Sequence, residues 1–209
     1  MDARFREVVT SEAQFRAVSG HPNNRVLQKQ LSALDGHCRT FIAKCPFLFI
    51  SSCDLDGNMD VSPKGDPAGF VRVLDDSTLA IPDRLGNRRA DTFRNVLQNP
   101  HVGLLFLIPG KSETLRIGGT AIIVRDQWLR DEMAMSGKSP DFAIVITVSE
   151  AFFHCSKCVV RSKLWDSTQW PEPGGLPSLA QTMVDGGKLT QTVEEMQALI
   201  ETDARERLY

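Results

Sequence analysis

The sequence lacks any long hydrophobic run. In 209 residues, no uninterrupted apolar stretch approaches the roughly 20 needed to span a bilayer as a helix. Met1-Asp2-Ala3-Arg4 does not open an apolar core of the kind a signal peptide carries, so the expected location is cytoplasmic. A basic excess is also missing: the formal net charge is -2 and the pI is near 6.1. General nucleic-acid and membrane-surface binders show a wide basic face, so neither partner is expected and any anion site must be local. The five cysteines, Cys38, Cys45, Cys53, Cys155 and Cys158, are odd in number and scattered, which suits a reducing compartment better than a disulfide framework. Internal repeats, low-complexity segments, a Walker loop, a strand-linked G-x-G-x-x-G and a G-x-S-x-G elbow are all absent.

What is present is ordinary globular composition, 42% hydrophobic and 24% charged, in a length that suits one domain with appended helices. Ser11 with Gln14 predicts a capping box for a first helix ending at Gly20, and Pro22 permits a new start. Across residues 24–45, Leu27, Leu31, Leu34, Cys38, Phe41 and Ile42 recur at helical spacing, with Asp35-Gly36 a candidate break. Residues 47–53 and 59–63 read as strands joined by Asp54-Leu55-Asp56-Gly57-Asn58, a hairpin signal. Those acidic residues are not followed by the glutamate a calcium loop requires. Further strands are predicted at 69–74, 78–81, 101–108, 113–124, 142–148 and 151–160, with helices at 91–98 and 126–136. Gly118-Gly119 suggests a bulge or a close backbone approach. Many short strands with tight turns and few intervening helices predict an antiparallel barrel of mainly β, α+β character. Beyond Trp170, a Pro- and Gly-rich linker precedes two helices at 178–184 and 190–207, the second capped by Thr192 and Glu195. The expected organisation is an N-terminal helical segment over 1–45, a barrel over 46–170, and a linker with C-terminal helices over 171–209.

The segment with the most chemistry is Ile81-Pro82-Asp83-Arg84-Leu85-Gly86-Asn87-Arg88-Arg89-Ala90-Asp91. It sets three arginines and a Gly-Asn turn where a strand hands over to a helix. Unpaired N–H groups, the positive end of the helix dipole and guanidinium forks together suit a phosphate. The alternative is a solvated charged turn in which Arg88 pairs with Asp91. His154-Cys155-Ser156-Lys157-Cys158 holds a Cys-x-x-Cys pair. A structural zinc would want a fourth ligand, and a redox dithiol would want to open a helix, whereas this stretch reads as strand. Packing is the simpler reading for Cys158, and also for His101 and His154.

Taken in order, Asp60-Val61-Ser62-Pro63-Lys64-Gly65, Pro82-Asp83-Arg84-x-Gly86-Asn87-Arg88-Arg89-x-Asp91, Asn99-Pro100-His101-Val102-Gly103-Leu104 and Thr114-Leu115-Arg116-Ile117-x-Gly119 resemble a known family. It is the FMN-binding split barrel of the pyridoxamine 5'-phosphate oxidase-like proteins. His154-Cys155-x-Lys157 and Arg161-Ser162-x-Leu164-Trp165 extend the resemblance. It implies that Arg88 and Arg89, after the turn at Asn87, hold the FMN phosphate and that Lys64 approaches the flavin. Ser62, Pro82 and Asp83 would line the isoalloxazine, and Thr114 and Arg116, two apart on one strand face, would present polar contacts. The resemblance further implies a homodimer with FMN between subunits, to which Arg161, Ser162 and Trp165 contribute. The vitamin B6 oxidase carries an arginine-rich C-terminal segment; this chain ends instead in mixed-charge helices with Asp203, Arg205, Glu206 and Arg207, which argues against that substrate. The expected activity is FMN-dependent oxidation or reduction of a small molecule, with a nicotinamide or deazaflavin reductant. No side chain stands out as a general acid or base. The alternatives are a flavin carrier or sensor without turnover, and a degenerate barrel serving as an interaction module.

Overall fold

The computed structural model describes residues 4–209, so the reading of the extreme N-terminus lies mostly outside the described residues. Seven strands form one antiparallel sheet: β1 (Phe47–Cys53), β2 (Met59–Gly65), β3 (Arg72–Val73), β4 (Thr78–Pro82), β5 (His101–Leu107), β6 (Thr114–Val124) and β7 (Ala143–His154). Their order is β2-β1-β5-β6-β7-β4-β3, and the sheet is not closed. With its helices this is the α+β, split-barrel architecture expected.

The β1–β2 hairpin forms because its tip satisfies itself. The Asp54 carboxylate accepts from the N–H groups of Asp56 at 3.0 Å and Asn58 at 2.8 Å, which leaves Phe47 opposite Gly65 and Cys53 opposite Met59. Along β1 the buried positions alternate, placing Leu48 and Ile50 in the core with Leu104 and Phe106 of β5. Pro63 is tolerated because β2 is an edge strand. Pro82 pairs with Ala143 of β7, while β3 reaches only Leu79 and Ala80 on the other side of β4, so its missing N–H costs no ladder bond there.

The glycine pair and the expected break between two late strands prove to be one feature. β7 runs unbroken from Ala143 to His154. Gly118 pairs with Glu150 and Gly119 with Val148, leaving Ser149 as the extra residue of a bulge, its hydroxyl donating to the Gly118 carbonyl at 3.1 Å. The strand at 69–74 shrinks to Arg72–Val73, and 155–160 is not strand.

Helices α1 (Glu12–Ser19), α2 (Asn24–Gln28) and α3 (Gly36–Ala43) precede the sheet. Ser11 caps α1 as expected, but Gln14 reaches back to the Thr10 N–H at 2.9 Å instead of closing a box with Ser11. The helical spacing over 24–45 is broken where expected, α3 beginning at Gly36 with Asp35 as its cap, but residues 29–35 before it are not helical either. Leu31 exchanges backbone bonds with Ala151, both at 2.9 Å, and Leu34 donates to Asp76, so tertiary pairing unwinds residues 29–35. Helix α4 (Asp91–Val96) lies against the hairpin. It is fastened there by Thr92 donating to Asp60 at 3.0 Å and Asn95 to Ser52 at 3.1 Å. Asn99, just beyond it, donates to the Cys53 sulfur at 3.1 Å. Helix α5 (Gln127–Glu132), shorter than its expected span, seats Leu129 over Ala80 and Ala143. Helix α6 (Lys157–Ser162) replaces the end of the predicted last strand. Helices α7 (Leu179–Gly187) and α8 (Val193–Glu206) pack on each other, and Thr192 and Glu195 form the predicted capping box. Among the described residues no helix is long and apolar enough to cross a membrane.

Candidate functional site

A cleft of about 660 Å³ opens between β2, the segment after β4 and the start of α4. Strand alternation puts Ser62 and Lys64 on one face of β2, and both line it. The Lys64 ammonium donates to the Ser62 hydroxyl at 2.9 Å and joins no ion pair among the described residues. Burial draws its pKa below the usual lysine range, against the nearby negative charges of Asp83 and Asp60. Burial likewise pushes the Asp83 carboxyl above the ordinary range; Lys64 opposes this and Asp141 adds to it. A half-buried cation and a half-buried acid thus face one cavity, each favouring the other's charged form without an ion pair between them among the described residues.

The arginine turn forms the next wall. Asn87 accepts from the Arg89 N–H at 3.0 Å, and Arg88 and Ala90 both adopt left-handed backbone, with φ of 61° and 55°. Such angles are strained for residues with a Cβ. Arg89 pairs with Asp91 at 2.8 Å. The alternative pairing of Arg88 with Asp91 is therefore not the one observed; Arg88 has no ion-pair partner among the described residues. Among the described residues no side chain caps the start of α4.

The structure does not bring all the predicted residues together. Ser62, Lys64, Asp83, Asn87, Arg88 and Arg89 line the cleft. Thr114, Arg116 and Ser162 line a second, largely apolar hollow of about 770 Å³ with Phe49, Leu105 and Val159. The two hollows share Val61 of the edge strand. Arg116 lies over the Phe152 ring at 5.5 Å, and Ser162 donates to the Val159 carbonyl. Pro82, Arg161 and Trp165 line neither hollow: Pro82 is buried, Arg161 is exposed on α6, and the Trp165 indole donates to the Lys111 carbonyl at 2.8 Å. Sequence reasoning missed Asp66, Lys138 and Tyr209. Asp66 holds Arg84 in a buried ion pair at 2.6 Å on the cleft wall. Lys138 and Tyr209 come from distant segments with no local signal.

His101, His154 and Cys158 are exposed, although His154 and Cys158 line the second hollow and the His154 ring lies 6.3 Å from that of Phe152; Cys155 directly precedes the turn into α6 instead of lying in a strand. Among the described residues no group of three or more His, Cys, Asp or Glu side chains could hold a metal. Cys38 and Cys45 are buried; burial pushes the Cys38 thiol up to about 11, while Cys45 donates to the carbonyls of Phe47 and Leu107. A maleimide added at mildly alkaline pH is therefore expected to label Cys155 and Cys158 quickly and to reach Cys38 and Cys45 only after denaturation. Mass mapping of the labelled sites at short times would show an early adduct on Cys38 if this burial were wrong.

No curated protein matches the chain. Among solved structures, tagged HupZ from Group A Streptococcus is 18% identical, covers 57% of this chain and 93% of that one, and has a TM-score of 0.47. A protein from Lactobacillus delbrueckii, described as a putative pyridoxamine 5'-phosphate oxidase, is 23% identical over 59% of this chain and 98% of that one, with a TM-score of 0.47. An FMN-binding protein from Syntrophomonas wolfei is 13% identical over 56% of this chain and 88% of that one, with a TM-score of 0.42. The sequence model of pyridoxamine 5'-phosphate oxidase matches residues 34–155, a span that takes in every strand of the sheet, and the chain belongs to the pyridoxamine 5'-phosphate oxidase-like family.

Proposed function

We propose that the protein is an FMN-dependent oxidoreductase acting on a small molecule. The observation that carries this reading is a pair of cations, Arg88 and Lys64, on the walls of one cleft and in no ion pair among the described residues. Family membership supports a flavin as the anion they await. The donor set fits FMN: a cavity of ligand size, guanidinium groups beside an uncapped helix start for a phosphate, and a half-buried ammonium for an electron-rich ring edge. In this reading Arg88 and Arg89 hold the phosphate, while Asn87 sets their turn. Ser62, Lys64 and Asp83 face the ring, with Pro82 closing the strand end behind them. Bound there, FMN would supply hydride or electron transfer through its N5 to a molecule stacked on the ring. The chain's own part is to orient, to exclude water and to set charge.

A homodimer accounts for the second group of residues. Thr114, Arg116, Arg161, Ser162 and Trp165 lie around or beside the apolar hollow next to edge strand β2, and a second copy seated there would bring them to the first copy's cleft. A nicotinamide or deazaflavin donor is the proposed reductant, and residues 46–170 are the proposed flavin-binding unit. Lys64 should favour negative charge on the reduced ring. Lys64→Met is expected to lower the midpoint potential of the bound flavin by about 30 mV, equivalent to about 1.4 kcal/mol for two electrons. An unchanged potential in a spectroelectrochemical titration would remove Lys64 from the ring.

The test of the whole reading is the visible spectrum of the purified protein, with identification of what heat releases from it. Stoichiometric FMN that a donor bleaches and an acceptor restores over many turnovers is the expected result. Colour without turnover would favour a carrier or sensor. A protein that is colourless and takes up no added FMN would leave the interaction module.

A further inference from the structure

We infer that Tyr209 closes the end of the cleft remote from the arginine turn, so that ligands enter and leave past it and it sets which molecules the cleft admits. The inference rests on the cleft being the flavin site. Strand β2 supplies the ruler. Asp60, near its start, is bonded to Thr92 of α4, whereas Asp66, just past its end, is bonded to Tyr209. Six residues of extended chain at about 3.3 Å each separate the two ends by roughly 20 Å. Phosphate-holding groups therefore stand at one end and the tyrosine at the other.

Three contacts dock it. The phenol donates to Asp66 at 2.8 Å, the ring lies 5.6 Å from the Arg84 guanidinium, and the main-chain oxygen accepts from Lys138 at 2.7 Å. Arg84 is itself held by Asp66, so Tyr209 completes a cluster of three side chains on the cleft wall. Through its ring and its carbonyl the residue also occupies two of the cleft's cations, Arg84 and Lys138. Helices α7 and α8 pack chiefly on each other, and Tyr209 follows α8 by three residues. The α7–α8 pair is thus tied to the sheet beside the cavity. Its bond to Asp66 and burial both push the phenol pKa above the ordinary tyrosine value, with Arg84 opposing.

Tyr209 is the chain's one tyrosine, so phenol ionisation read by ultraviolet absorbance reports on it alone. The experiment uses the full chain loaded with FMN, and Tyr209→Ala and Tyr209→Phe beside it, measuring flavin release into an excess of a scavenging apoflavoprotein. Tyr209→Ala is expected to release FMN about tenfold faster and to expose the flavin to iodide quenching. Tyr209→Phe, which keeps the ring over Arg84 but loses the bond to Asp66, should fall between. In the unsubstituted chain the phenol should ionise above the usual range. Release from Tyr209→Ala that is unchanged or slower would overturn the inference and leave the flavin reading intact, as would a phenol that titrates like a free one. If the unsubstituted chain takes up no FMN, both fall together.

Discussion

Replacing Arg88 and Arg89 together by alanine is expected to weaken FMN binding by about a hundredfold or more, because each charge-assisted contact to a phosphate carries roughly tenfold or more in affinity. The two arginines are not equivalent. Arg89 is already paired with Asp91, so part of what it offers a phosphate is spent on that carboxylate, whereas Arg88 has no ion-pair partner among the described residues. Arg88→Ala alone should therefore cost more than Arg89→Ala alone. Asp91→Asn, which frees Arg89, should strengthen binding or leave it unchanged. Fluorescence titration of the ligand-free protein with FMN measures all four. A double variant that still copurified with stoichiometric FMN would move the phosphate elsewhere in the cleft. The fold should survive, since both side chains are exposed.

The second large effect is on stability. Gly119→Ala is expected to destabilise the protein by about 3 kcal/mol, because a Cβ there would stand 2.2 Å from the Thr147 carbonyl oxygen and 3.0 Å from its carbon. Backbone cannot swing aside as a side chain can. For a chain of this size the loss corresponds to a fall in melting temperature of roughly 6–12 °C. The adjacent Gly118→Ala is the control. The three atoms nearest its added methyl all belong to the Glu150 side chain, the closest being Cγ at 3.0 Å, and that side chain can rotate away. A thermal melt in which the two variants fall equally would mean that the bulge, not the close approach, demands the glycines.

The comparison of sequence with structure separates local from distant causes. The β1–β2 hairpin was legible because its signals lie in adjacent residues: alternation along β1 and an Asp-x-Asp-Gly-Asn tip whose carboxylate closes its own turn. The arginine turn was legible for the same reason, and it does line the cleft with Ser62, Lys64 and Asp83. Errors arose where a distant partner decides. Leu31 sits in a helical pattern yet is drawn into pairing with Ala151, and Val159 and Val160 suggest strand by their branched side chains although α6 takes them. The Gly118-Gly119 signal was read correctly on its own strand. Its counterpart, Ser149, looked like a strand end because a bulge residue reads as a break from its own side. Tyr209 had no local signal at all; 143 residues separate it from Asp66. On the proposed homodimer the divided site has a similar cause, since residues placed around one ligand would come from two chains.

The fastening of α4 to the hairpin has a consequence for the speed of binding. Thr92, Asn95 and Asn99 tie this helix and the residues after it to Asp60, Ser52 and Cys53. The helix onto which the arginine turn runs is thus set before any ligand arrives, and little chain entropy remains to be lost there on capture. Ordering of this helix should then add no slow step to the association of an anionic ligand, so any plateau at high ligand concentration would report opening past Tyr209. Added salt should slow it by screening the approach of the phosphate to the arginines.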